Sequence, residues 1–159
     1  MNEPMKKTPI LLAITIAAVI FAGCSGCTTT ASGTRKLDVA KDAPILKAVV
    51  QFGVSAGLAA SPSIRPDCQQ ALTDLGIALH STGGISAANL NTILTQLPVS
   101  STSSKATLYA GLADEAFNAL MSWLGPSLMA TSTAQDVQTF AIAAYNGLAG
   151  ALGQPAYAP

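Results

Sequence analysis

Leu90, Ile93, Leu94 and Leu97 repeat at i, i+3, i+4 and i+7, the spacing that lines one face of an α-helix. This stripe predicts a helix over 87–97, with Ser86 as its N-cap and Pro98 as its stop. The same reading along the chain gives four more helices. One runs over 42–61, with Pro44 inside its first turn, where proline is tolerated, and Pro62 after it. The next, over 66–81, puts Cys68, Leu72, Leu75 and Leu79 on one side and Gln69, Gln70, Thr73 and Asp74 on the other, and Gly83-Gly84 stops it. A helix over 105–124 follows a cap at Ser103 or Ser104 and ends at Gly125-Pro126. Its apolar side is Leu108, Leu112, Ala116, Leu120 and Trp123, widened by Tyr109, Ala113, Phe117 and Met121; Asp114, Asn118 and Ser122 mark its wet side. The last helix, over 134–152, opens at Thr133, whose spacing to Asp136 resembles a capping box. Val137, Phe140, Ala141, Ala144, Leu148 and Leu152 form its inward face.

No segment alternates with period two over the length of a strand, and no repeat stands out. The expected fold is all-α, a compact bundle of four or five helices with short connections that favour antiparallel neighbours. Composition agrees: apolar residues are 50% of the chain but aromatics only 5%, so alanine carries much of the core and helices can pack closely. The 159 residues allow one domain and a leader. Residues 1–23 are expected to be a cleaved signal peptide, 24–41 a Thr-, Ser- and Gly-rich tether, 42–153 the helical domain and 154–159 a disordered tail. Formal net charge is zero and charged residues are 10%. That leaves no basic stripe for a phosphate backbone, so no nucleic-acid partner is expected.

Lys6 and Lys7 precede an apolar run from Pro9 to Ala22, which closes on Phe21-Ala22-Gly23-Cys24. Positive residues, a short apolar stretch and then small residues is the order of a secretory signal, and the run is shorter than the ~20 residues that span a bilayer. Met5 is an alternative start for this leader. "FAGC" resembles the lipobox of bacterial lipoproteins, in which cleavage falls before the cysteine. Phe21 departs from the usual Leu. The resemblance covers residues 5–24 and implies cleavage between Gly23 and Cys24, a diacylglycerol on the Cys24 sulfur and acylation of its new amino group. Two or three chains make a lasting membrane anchor, at ~0.8 kcal/mol per buried CH₂. The other readings of this leader are an uncleaved anchor, a secreted protein cut elsewhere, and lipidation of Cys27. Ser25 after the lipidated residue resembles the outer-membrane class of Gram-negative lipoproteins. The tether's roughly 16 residues would span about 20–25 Å.

Lipidation of Cys24 leaves Cys27 and Cys68. The two could form a disulfide in an oxidising compartment, or Cys68 could be a buried free thiol. Three cysteines and one histidine make no zinc pattern.

Gly53-Val54-Ser55-Ala56-Gly57 matches G-x-S-x-G, which in sheet-based hydrolases puts a serine on a strand-to-helix turn. Asp67 or Asp74 and then His80 even follow in the hydrolase order. Against this, the mature chain is short for such a fold, the surroundings read as one helix, and Asp74 and His80 diverge on another. Gly53-x-x-x-Gly57 also reads as a small-residue notch between helices, which is the preferred interpretation. His80 is expected to complement the helix dipole in a last turn. Asp114 and Glu115 face different ways and make no paired-carboxylate site. Trp123, with Tyr109 and Phe117, reads as core. No catalytic constellation, cofactor motif or metal motif emerges. The expected function is that of a non-enzymatic, membrane-tethered envelope lipoprotein with a protein partner in the envelope. The alternatives are a helical carrier of a small ligand or lipid and, more weakly, a membrane-associated or oligomeric helical protein.

Overall fold

The computed structural model describes residues 37–98 and 108–158. Within them the chain is all-α, with five helices and no strand. Helix α1 is Val39–Ala60, α2 is Arg65–His80, α3 is Ala87–Thr95, α4 is Leu108–Thr131 and α5 is Ala134–Leu152. A 3-10 turn, Pro62–Ile64, joins α1 to α2. The leader, Gly23, Cys24, Cys27, most of the tether and the loop before α4 lie outside the described residues.

Helix α5 is the centre of the bundle. It packs most extensively against α1, and also touches α2 and α3. From Phe140 to Ala149 it has no exposed residue. All six residues expected on its inward face are buried. Its start is the capping box anticipated from sequence. The Asp136 N–H donates to Thr133 Oγ1 at 3.2 Å, and the Thr133 N–H donates to Asp136 Oδ2 at 2.9 Å. Gly153 ends it in the left-handed region, at φ +69°, as a glycine after a helix commonly does.

Helix α1 begins earlier than expected. Asp38 is extended, and its N–H donates to Asp42 Oδ2 at 2.9 Å, which closes the first turn ahead of residue 42. Pro44 therefore falls in the second turn rather than the first. The helix absorbs the missing donor because Ala43, Leu46, Val49 and Val50 on either side of it are buried. Helix α3 is two residues shorter than expected, yet Leu97 still reaches the core beyond its end. Ser86 caps it as predicted, accepting from the Asn89 N–H at 3.1 Å.

Helix α4 departs most from expectation. It does not stop at Gly125-Pro126 but continues to Thr131. Proline inside a helix costs about 3 kcal/mol. Leu124 and Leu128, one turn apart across the proline, are both fully buried, and each such side chain contributes about 1.5–3 kcal/mol. Gly125 lies inside the helix rather than ending it, beside the Asn91 side chain of α3, whose Oδ1 would be 2.8 Å from an added Cβ. The buried face is also rotated. It runs through Ala113, Phe117, Leu120, Leu124 and Leu128, while Leu112, expected inside, is 37% exposed and Trp123 is half-buried.

The tail was expected to be disordered over 154–159; of these, 154–158 are described and fold back onto α5. The Gln154 N–H donates to the Ala149 carbonyl at 2.8 Å. The Tyr157 N–H donates to Asn146 Oδ1, also at 2.8 Å, and its ring packs against the partly buried rim of the core.

Candidate functional site

Helices α2 and α5 meet along a shallow groove of about 400 Å³ lined by Leu72, Thr73, Gly76, Ile77, His80 and Tyr145. Its α2 wall follows from the sequence. Cys68, Leu75 and Leu79 turn into the core, so Thr73, Ile77 and His80, at spacings of four and three, come to the surface. Ile77 is 67% exposed. Tyr145 of α5 packs beside Gly76 at an ordinary distance, with 3.5 Å from an added Cβ to Tyr145 Cε2.

An aromatic cluster closes one end. The ring centroids of His80 and Tyr157 are 5.3 Å apart at 53°, and those of Tyr145 and Tyr157 are 5.6 Å apart, edge to face. Such pairs contribute about 0.5–1.5 kcal/mol beyond their burial. His80 Nδ1 lies 2.8 Å from the Gly76 carbonyl. In the neutral ring this fixes the proton on Nδ1 and leaves Nε2 as the acceptor. His80 is in the last turn of α2, as expected. Its pairing with Tyr157 was not legible in the sequence. The available signal was a lone large side chain in an otherwise small and proline-broken tail.

The residues of the G-x-S-x-G pattern are not arranged for nucleophilic catalysis. Ser55 is in the middle of α1 and exposed, while Gly53 and Gly57 face inward. No strand-to-helix turn is present there. Asp74 accepts from Gln70 Nε2 at 2.8 Å, one turn back on α2. Asp114 accepts from Asn118 Nδ2 at 3.0 Å on α4. Each of these carboxylates is engaged on its own helix. Among the described residues no group of three or more His, Cys, Asp or Glu side chains could hold a metal ion.

A tighter helix contact lies between α1 and α5. A Cβ on Gly147 of α5 would meet the Lys47 carbonyl at 2.6 Å and Val50 Cβ at 3.0 Å, both on α1. The glycine at this contact is on α5, and it meets α1 at Lys47 and Val50, one to two turns before the expected Gly53-x-x-x-Gly57 notch, whose glycines are both buried.

Cys68 is fully buried and its thiol is free. Burial pushes its pKa up, and the neighbouring Asp67 carboxylate adds to the rise against the pull of Arg65 and a backbone hydrogen bond. A thiol held protonated in this way is a poor nucleophile. Cys27, its possible disulfide partner, lies outside the described residues.

Among the described residues α1 is the one helix long and apolar enough to cross a membrane, with 22 residues and a mean hydropathy of 1.4. Leu46, Val49, Val50 and Val54 on it are committed to the core. Comparison with known proteins returns no matching family model, no matching curated protein and no matching solved structure.

Proposed function

We propose that this protein is a lipid-anchored module of the bacterial cell envelope that works by contact with another protein rather than by catalysis. The observation that carries the placement is Phe21-Ala22-Gly23-Cys24 after a basic, short apolar leader. Cys24 takes the lipid, and the tether holds the helical domain clear of the headgroups. In a cell with two membranes, Ser25 favours the periplasmic face of the outer one.

The non-catalytic reading draws support from how the polar groups are used. Asp74, Asp114 and His80 Nδ1 each bond within their own helix. The groove between α2 and α5 is open and carries exposed Ile77 beside aromatic rings, which suits protein contact better than enclosure of a small ligand.

Metabolic labelling with palmitate tests the anchor. The mature band should take up label, and Cys24→Ala should abolish both label and processing. An unlabelled band together with accumulated precursor would remove the placement. Labelling that survives Cys24→Ala and is lost with Cys27→Ala would move the anchor to Cys27.

A further inference from the structure

The tail shows what the end of the α2–α5 groove accepts. Gly153 turns the chain out of α5, and Tyr157 returns to that helix with two distinct contacts. Its N–H is held by Asn146 Oδ1, and its ring sits beside His80 and Tyr145. His80 and Tyr145 also line the groove. The seat therefore has a side-chain acceptor for a main-chain N–H and an aromatic wall, and runs straight into open, partly apolar surface.

We propose that this seat is a peptide-docking site for an extended, tyrosine-bearing segment of a partner protein, and that the chain's own tail is a displaceable strap occupying it. The inference rests on the interaction-module reading, and specifies the partner's chemistry. An extended segment offers a free backbone N–H to Asn146, as Tyr157 does. An aromatic side chain repeats the ring contacts, and its neighbours gain the exposed Ile77 and the half-buried Leu72 of the groove.

The strap is held weakly by construction. It makes two ring contacts and one side-chain hydrogen bond, and must order several small residues and a proline to do so. Ordering costs entropy at each residue, so these gains and losses nearly offset one another. A short tether presents the tail at an effective concentration in the millimolar range. A strap closed about nine-tenths of the time weakens binding in trans by about tenfold.

The test uses the full chain and a synthetic peptide of the sequence 153–158. Tyr157→Ala vacates the seat, and its helical circular dichroism reports whether the fold persists. NMR titration should give saturable shifts at Asn146, His80 and Tyr145 in Tyr157→Ala, at about tenfold lower peptide concentration than in wild type. A peptide with alanine in place of tyrosine should give none. In the wild type, excess peptide should speed hydrogen exchange of the Tyr157 amide, a readout that does not depend on the variant folding. Equal affinity in the two proteins, absence of saturable shifts in the folded variant, or unchanged exchange would overturn the proposal. So would a wild-type dimer that Tyr157→Ala abolishes, since the seat would then belong to a second copy. None of these readouts depends on lipidation, so failure here leaves the palmitate result standing and the reverse also holds.

Discussion

Helix α5 serves two neighbours in opposite ways. Toward α1 it offers Gly147, and the two backbones come so close that even a methyl group has no room, with 2.6 Å from an added Cβ to the Lys47 carbonyl. Toward α2 it offers Tyr145, and the spacing is set by a ring, 3.5 Å from an added Cβ on Gly76. The first contact is backbone against backbone and admits one arrangement. The second is side chain against surface, leaves a groove of about 400 Å³, and has space for a tail to come and go. One helix thus supplies a rigid seam on one side and an adaptable face on the other, through residues only two apart in the sequence.

Replacing Gly147 with Ala is the most direct way to break that seam. The obstructing atom is a main-chain oxygen and cannot swing away, so α1 and α5 must separate. Overpacking costs typically about 1–3 kcal/mol, and the better helix propensity of alanine returns up to about 1 kcal/mol of that. Chemical denaturation of Gly147→Ala should show a net loss of about 1–2 kcal/mol. A variant as stable as the wild type would mean that the seam is looser than its geometry implies.

The contrast also explains what the sequence could convey. The bounds of α5 and six of the nine residues of its buried face were legible, because an apolar period of 3.6 and a Thr-x-x-Asp start point to the same helix; Ala143, Gly147 and Ala149 were not. Each signal is local. On α2 the period placed Cys68, Leu75 and Leu79 in the core and His80 in the last turn, but Leu72, read with them, is half-buried and lines the groove. Gly147 as the tight point was not legible. Glycine at that position reads as ordinary filler until α1 is laid against it. Nor was the continuation of α4. Gly125-Pro126 is a strong local stop, and it yields where Leu128, beyond it, finds a buried place. Tyr157 belongs with these. Its partners, His80, Tyr145 and Asn146, come from two helices, and a tail of glycine, proline and alanine has no period to announce them.

Gly76→Ala sharpens the comparison from the other side. The added Cβ would meet Tyr145 Cε2 at 3.5 Å, an ordinary contact, with no other obstruction at that range. The helix-propensity gain is then unopposed. The variant should be more stable than wild type by about 0.5–1 kcal/mol, measured by the same denaturation. The same chemical change would therefore carry opposite signs on the two sides of α5. If Gly76→Ala is destabilising, Tyr145 is pinned, and the α2–α5 face is as unyielding as the seam.

The smallest effect concerns the end of α5 that both regions share. Two hydrogen bonds from Thr133, the backbone N–H first and the hydroxyl second, hold the Asp136 carboxyl below its ordinary 3.8. The helix N-terminus also favours its negative charge. A folded-state value below the unfolded one means that the charged form is bound more tightly in the native protein. Its contribution is therefore complete above the unfolded value, and is lost as pH falls through the folded one. Asp136→Asn keeps an acceptor oxygen for the Thr133 N–H and removes the charge, so it isolates this effect. The wild type should be slightly the more stable at neutral pH, with the gap constant down to about 4 and closing below it. Because α5 is common to the seam and the groove, hydrogen exchange in α1 and α2 should rise together as the gap closes. Exchange that rises in α2 alone would show that the adaptable face opens without the seam, and that the two sides of α5 are energetically separate.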